Sequence, residues 1–391
     1  MTKHIPLSTP YLTGGEWKYV KECLDSGWIS TGKYTSLFQS KIAKYTKSKY
    51  AVACVNGTSA LHVSLLLAGV EKNDEVIVPS LTFIAPVNAI SYCQAEPIFM
   101  DSDNFFNIDV NKTIKFIEEE TKLVKRGSLS SPVSVNKKTG RRIAALIAVH
   151  TFGNAVLLDG LIKTCKLRNI KIIEDASESL GTIYSSGRYK GKHTGTIGFL
   201  GCLSFNGNKI ITAGGGGMML TNSKKIAERA SYLTSQAKDD PLRYVHDNIG
   251  FNYRMTNVQA AIGTAQLEKL EIFLEKKRQV YKDYLKGISL IDGLSLCKVP
   301  SYASNNHWLN VLKIDQKTYG KSSNQLMLKL KRNLIETRPV WRLNHLQKPY
   351  KSKQSFSVKR SIDLVKNSLC LPSSSNISQG ELERVLKGLR V

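Results

Sequence analysis

Carboxylates are scarce in this chain. Its 391 residues include 31 Asp or Glu against 56 Lys or Arg, a formal net charge of +25. Such a balance suits an anionic partner: nucleic acid, an anionic membrane surface or a polyanionic small substrate. A generally basic surface is the plainer alternative. No zinc-finger spacing, aromatic RNA-binding motif, basic heptad run or appended helix-turn-helix accompanies the charge, so no nucleic-acid partner is expected. The most apolar stretch, Ile143 to Ile162, is interrupted by His150, Asn154 and Asp159 and is too broken to span a bilayer. Met1 to Trp17 has no apolar signal-peptide core, so a cytoplasmic location is expected. The seven cysteines stand singly with no C-x-x-C, which suggests neither a disulfide framework nor a zinc site. Gly195-x-x-Gly198-x-x-Gly201 lacks dinucleotide-binding spacing and reads as turn glycine. Internal repeats and low-complexity tracts are missing as well.

What is present is a globular composition, 42% hydrophobic and 22% charged, in a chain long enough for two domains. Thr13 is placed to cap a helix over Glu16–Ser26, and a second helix is expected over Tyr34–Tyr45. From Tyr50 onward, short apolar runs alternate with helical patterns: strands are expected at Tyr50–Val55, Glu75–Pro79, Glu96–Met100, Ile143–Val149, Ile170–Ile173, Cys202–Phe205 and Met218–Thr221. Near-continuous apolar strands joined by helices predict an α/β fold with a mostly parallel sheet covered on both faces. Lys122 to Arg142, dense in Lys122, Lys125, Arg126, Lys137, Lys138, Arg141 and Arg142, interrupts this rhythm as a loop or hairpin. Asn257–Leu285 reads as one long helix bridging to a smaller α+β domain, which divides the chain into 1–256 and 257–391.

Five features carry chemistry. Lys209 lies between two expected strands and precedes Gly214–Gly217. Desolvation there favours the neutral amine, the form that attacks a carbonyl; a lysine on a solvated hairpin tip is the alternative. Asn56-Gly-Thr-Ser-Ala60 opens a helix at a strand end and offers N–H groups and the Thr58 and Ser59 hydroxyls to a phosphate, although the same residues make an ordinary helix start. Asp175 ends a strand, where ligands of open α/β sheets bind; it can hold a proton on a heterocyclic nitrogen or cap a helix. Phe83 can stack on a flat ring or join the core, and Ser204, five residues before Lys209, can face the same phosphate. Together these are the parts of a pyridoxal phosphate site.

With those residues in place, the chain resembles the DegT/StrS family of nucleotide-sugar aminotransferases, whose fold is that of aspartate aminotransferase (type I). The resemblance runs nearly end to end through Gly27-Trp-Ile-Ser-Thr-Gly32, Asn56-Gly-Thr-Ser-Ala-Leu61, Pro79-Ser-Leu-Thr-Phe83, Val149-His-Thr-Phe-Gly153, Glu174-Asp-Ala-Ser-Glu178, Ser204-Phe-Asn-Gly-Asn-Lys209, Gly250-Phe-Asn-Tyr-Arg-Met255 and Thr337-Arg-Pro-Val-Trp341. It implies that Lys209 holds pyridoxal 5'-phosphate as a Schiff base and shuttles protons, with pyridoxamine phosphate formed midway. Asp175 would pair with the ring nitrogen, Glu178 would lie near the ring hydroxyl, Phe83 would stack, and Thr58, Ser59 and Ser204 would hold the phosphate. Asn252 would reach the cofactor of a second subunit in a homodimer with shared sites. Trp28, Ile29, Ser30 and Thr31, with Arg338 and Trp341, match regions that border the sugar nucleotide.

The sequence departs from the family pattern in Gly214–Gly217, where Gly-Glu-Gly-Gly is common, and at Phe199, where Asp is common. The all-glycine run, the Asn-Gly-Asn-Lys lead-in and the basic insertion resemble the branch that aminates C4 of UDP-linked 4-keto-6-deoxy-N-acetylhexosamines with L-glutamate, on the way to bacillosamine- or legionaminic-acid-type sugars of surface glycans. GDP-perosamine-type 4-amination and dTDP-sugar 3-amination are the neighbouring alternatives. A non-enzymatic nucleic-acid-binding regulator and a membrane-surface scaffold are the remote ones.

Overall fold

The structure, a computed structural model, describes residues 3–125, 132–240 and 242–390. Its centre is an eight-stranded sheet. In spatial order the strands are Tyr50–Cys54, Gly217–Thr221, Leu200–Ser204, Lys171–Asp175, Ile143–Val149, Glu75–Pro79, Glu96–Met100 and Ser355–Phe356. Gly217–Thr221 runs antiparallel to both its neighbours and the other seven strands are parallel. Side chains of one strand alternate between faces: Val76 and Val78 join one buried cluster with Leu61, Val63 and Ile173, while Ile77 joins another with Ile98, Leu146 and Leu161. Both clusters lie under helices, so the strands read as unbroken apolar runs, and each fully buried Val, Ile or Leu contributes roughly 1.5–3 kcal/mol.

A second, four-stranded antiparallel sheet holds Leu294–Leu296, Asn310–Ile314, Ser368–Leu371 and Arg338–Pro339. It packs with helices Leu270–Ile288, Ser323–Arg332 and Gln379–Leu389 around Tyr284, Leu312, Leu326 and Val385. Packing crosses the boundary expected after residue 256 in two places. Helix Asn257–Leu267 lies on helices Gly15–Asp25 and Lys33–Thr46, and Ser355–Phe356 adds an edge to the large sheet.

Two local expectations are corrected. The stretch 257–285 is not one helix. It forms Asn257–Leu267 and Leu270–Ile288, separated at Lys269, whose φ of −108° and ψ of 4° leave the helical region. The two halves serve different packing partners, and Glu268, at the break, accepts hydrogen bonds from Tyr19 and Lys41. Nor does Thr13 cap the first helix: that helix starts after Gly14, and the Glu16 carboxylate reaches back to the Thr13 and Gly14 N–H groups.

The basic insertion is a hairpin, Thr121–Val124 against Val133–Asn136; Arg126 lies outside the described residues. Part of its charge is paired within the chain. Arg142 is paired with Asp74, Arg141 lies 3.8 Å from Glu96, and Lys137 donates to the Glu119 carbonyl. No helix among the described residues is long and apolar enough to cross a membrane.

Candidate active site

Lys209 sits in the connection between strand Leu200–Ser204 and the reversed strand Gly217–Thr221. Its N–H closes a turn onto the Asn206 carbonyl at 3.0 Å. The side chain turns inward, 14% exposed, so the solvated-tip alternative fails. Its Nζ lies 3.7 Å from Oε1 of Glu178 and 4.2 Å from the centre of the Trp308 ring.

These groups line a cleft of about 360 Å³ at the C-terminal ends of the parallel strands, bordered by Thr58, Phe83, Asp175, Ser204 and Trp341 as well. One wall is the start of helix Gly57–Leu67. Asn56 caps it, its Oδ1 accepting the Ser59 N–H at 2.8 Å. Ser59 is therefore buried within the first turn and does not line the cleft; Thr58 does. A side chain at Gly57 would put its Cβ 2.9 Å from Ser204 Cβ and 3.2 Å from Ser177 Oγ. Glycine lets Ser204 and Ser177 close in on a helix N-terminus, an arrangement suited to a phosphate.

Burial governs the carboxylates. Asp175 Oδ1 accepts the Ser177 N–H in a local turn, with no helix to cap, and desolvation raises its pKa against the opposing pull of Ser177 and Lys209. Glu178 is pushed up to about 7 by desolvation, which outweighs Lys209 and the Phe152 N–H that Oε2 accepts at 2.8 Å. Glu174, next to Asp175, does different work: it accepts from Gly195, Ile197 and Gly198 N–H groups and pairs with His150 Nε2 at 3.0 Å. Burial opposes its ionisation, but His150 and these N–H groups hold its pKa low. The 195–201 glycines thus wrap a buried carboxylate, and a Cβ at Gly198 would fall 2.7 Å from the Ile172 carbonyl.

An aromatic wall closes the cleft. Trp341 stacks on Phe152 at 4.8 Å between ring centres and meets Phe83 edge-on at 6.3 Å, and Trp308 stacks on Phe152 at 6.3 Å. Trp308 had no sequence signal of function, since an aromatic residue in an apolar run reads as core; Phe152 lay inside the Val149–Gly153 motif with no role assigned, and it backs the wall without lining the cleft. Asn206 and Asn208 lay inside the Lys209 motif and were legible there.

Residues 10–390 match the DegT/DnrJ/EryC1/StrS aminotransferase family. The chain belongs to that family. A Bacillus subtilis relative, EpsN, named as a pyridoxal phosphate-dependent aminotransferase, is 36% identical over 397 residues, covering 100% of this chain and 96% of its own. A GDP-perosamine synthase of Escherichia coli O157:H7 is 38% identical over 382 residues, 97% of this chain and 96% of its own. The solved aminotransferase TlmJ of Streptoalloteichus hindustanus superposes with a TM-score of 0.86 at 25% identity, covering 99% of this chain and 98% of its own. The protein is therefore a pyridoxal phosphate-dependent aminotransferase of type I fold.

The cleft fits that cofactor on its own chemistry: an inward amine, a buried carboxylate, an aromatic face and a glycine-made anion cradle, all on strand-end loops. Several residues expected at the site of a DegT/StrS aminotransferase are elsewhere in the chain. Trp28 and Thr31 border a separate cleft with Glu22, Tyr34 and Asn257, while Ile29 and Ser30 are exposed and line neither. Arg338 is exposed and donates to Glu336 at 2.7 Å rather than facing Lys209. Asn252, expected to reach the cofactor of a second subunit rather than its own, is exposed on a segment paired with Ser235 and is absent from its own chain's lining.

Proposed function

We propose that the protein transfers the amino group of L-glutamate to the C4 carbonyl of a UDP-linked 4-keto-6-deoxy-N-acetylhexosamine. The observation that carries the transfer chemistry is Lys209 Nζ held between Glu178 and Trp308 inside the cleft that Asp175 borders. The cofactor supplies an electron sink for a carbanion next to nitrogen. Asp175 keeps a proton on the ring nitrogen, Phe83 covers the ring, and Thr58 and Ser204 bind the phosphate, with Ser59 fixing the turn beneath them. Lys209 Nζ takes the proton from Cα of glutamate and later delivers one to C4 of the sugar. The aromatic wall around Trp341 excludes water from these transfers.

The UDP reading rests on Gly214–Gly217, the Asn-Gly-Asn-Lys lead-in and the basic insertion. A second reading, a GDP-linked 4-keto-6-deoxyhexose, is favoured by the E. coli relative named GDP-perosamine synthase. Asn252 and the Trp28–Thr31 turn, exposed and away from the chain's own cleft, support a homodimer in which they complete a second subunit's site. The test is transfer of 15N from labelled glutamate, read by mass spectrometry. A product from UDP-4-keto-6-deoxy-GlcNAc, with none from the GDP-linked sugar, supports the proposal. The reverse establishes the GDP reading, and transfer to neither overturns both.

A further inference from the structure

The buried amine of Lys277 has no role in the scheme above. It is 3% exposed, on helix Leu270–Ile288, and among the described residues it has no carboxylate partner; its Nζ donates to the Trp308 carbonyl at 2.9 Å and to the Ser373 carbonyl. Trp308 in turn donates its indole N–H to the Asn208 carbonyl at 2.7 Å, one residue before Lys209, and lays its ring against Lys209 Nζ. One turn along the same helix, Tyr281 stacks on His307 at 4.1 Å. His307 has a positive φ of 50°, a conformation that a non-glycine residue adopts only when its surroundings impose it. Two adjacent helical positions therefore grip two consecutive residues of the segment that faces the reacting amine.

We propose that Lys277 is a positioning residue that, through the Trp308 carbonyl, fixes the indole that covers the Lys209 amine. A buried donor without a countercharge is costly to maintain; desolvation pushes its pKa down to about 7, so the amine is held for what it binds rather than for its charge. Three pieces of chain, the bridging helix, the Trp308 segment and the Ser373 turn, meet at this one nitrogen. An indole face lying over an amine shields it from solution, so a displaced Trp308 leaves Lys209 more accessible to electrophiles.

This inference rests on reading Lys209 as the reacting amine, and the experiment separates the two. Cofactor-free protein is labelled with acetic anhydride at pH 8, and the rate at the Lys209 peptide is measured by mass spectrometry against an exposed lysine. Wild-type protein is also treated with pyridoxal phosphate and borohydride. Lys277→Met is expected to label Lys209 about threefold faster or more. Trp308→Leu should do the same, and the double variant should add nothing to Trp308→Leu alone. Lys277→Gln, whose neutral amide keeps two N–H donors for the carbonyls, should hold the rate close to wild type. Leu386→Ala, in the small-domain core, serves as the control for simple destabilisation. If Lys277→Met does not fold, Lys277→Leu, which also lacks a donor, carries the comparison. An unchanged rate in the Lys277 variant, multiplying effects in the double variant, or an equal change in Leu386→Ala overturns the positioning role. Failure of borohydride to trap the cofactor on wild-type Lys209 overturns the reading of that lysine, and this inference with it.

Discussion

Glu174 and Asp175 are consecutive in one strand yet belong to opposite faces of the sheet. Glu174 is closed off by His150 and three backbone N–H groups, whereas Asp175 opens onto the Lys209 cleft. The same burial thus yields one carboxylate stabilised as an anion and one whose pKa is raised. Glu174→Gln is expected to cost about 3 kcal/mol of stability by urea unfolding, because it breaks a buried, charge-assisted network. Asp175→Asn should keep the fold and lower turnover at least about 100-fold, since a neutral amide cannot hold a proton on the ring nitrogen. Equal stability losses in the two variants would contradict the division of labour.

Glu178 makes the fold sensitive to pH. Its folded pKa of about 7 stands above the ordinary 4.5, so between those values the folded state binds more protons than the unfolded one. Its contribution to stability therefore falls as pH rises from about 4.5 to 7 and stays low above. In cofactor-free protein, Glu178→Gln should be more stable than wild type at pH 8, by at most about 3 kcal/mol. The difference should vanish near pH 4, as thermal melts across that range would report.

The cradle has little room. At Gly57 an added methyl group meets Ser204 Cβ at 2.9 Å, and both residues are in the lining. Gly57→Ala should push these two loops apart and weaken cofactor binding about 10-fold, measured by titration of cofactor-free protein, with a stability loss of about 1–3 kcal/mol.

Asn257 pins the Trp28–Thr31 turn. Its Nδ2 donates to the Trp28 carbonyl at 2.6 Å, its Oδ1 accepts the Tyr34 N–H at 2.9 Å, and its own N–H binds Ser30. Asn257→Ala leaves buried backbone groups unpaired and should cost about 2 kcal/mol. If the turn completes a second subunit's site, the same variant should raise KM for the sugar nucleotide more than it lowers kcat.

The strands were legible because burial on both faces writes itself as apolar runs; Glu96–Met100 and Ile143–Val149 fall where the sequence put them. Lys209 and Asp175 were legible because glycines and strand ends surround them. What the sequence hid was set by distant contacts. The break at Lys269 has neither glycine nor proline and follows from two helix halves packing on different parts of the molecule. Lys277 looks like any solvent-facing lysine in a charged helix, and only the approach of Trp308 and Ser373 makes it interior. Trp308 reads as core until the fold sets it in the cleft wall, with Phe152 stacked behind it. Trp28, Ile29, Ser30, Thr31, Arg338 and Asn252 were drawn from resemblance, and the fold of one chain does not gather them at Lys209.

The Trp341 side of the cleft is tied down beyond the wall itself. Asn344 donates from its backbone to the Ser80 carbonyl at 2.9 Å and from its side chain to the Thr82 carbonyl at 2.8 Å, and Ser80 bonds to His345 at 2.6 Å. Eleven residues on, Ser355–Phe356 is stitched into the large sheet beside Phe99 and Met100. Trp341 stands just before the first of these anchors, so it cannot swing outward with the chain that follows it without breaking the Asn344 hydrogen bonds. Opening the cleft on this side would have to break those hydrogen bonds first.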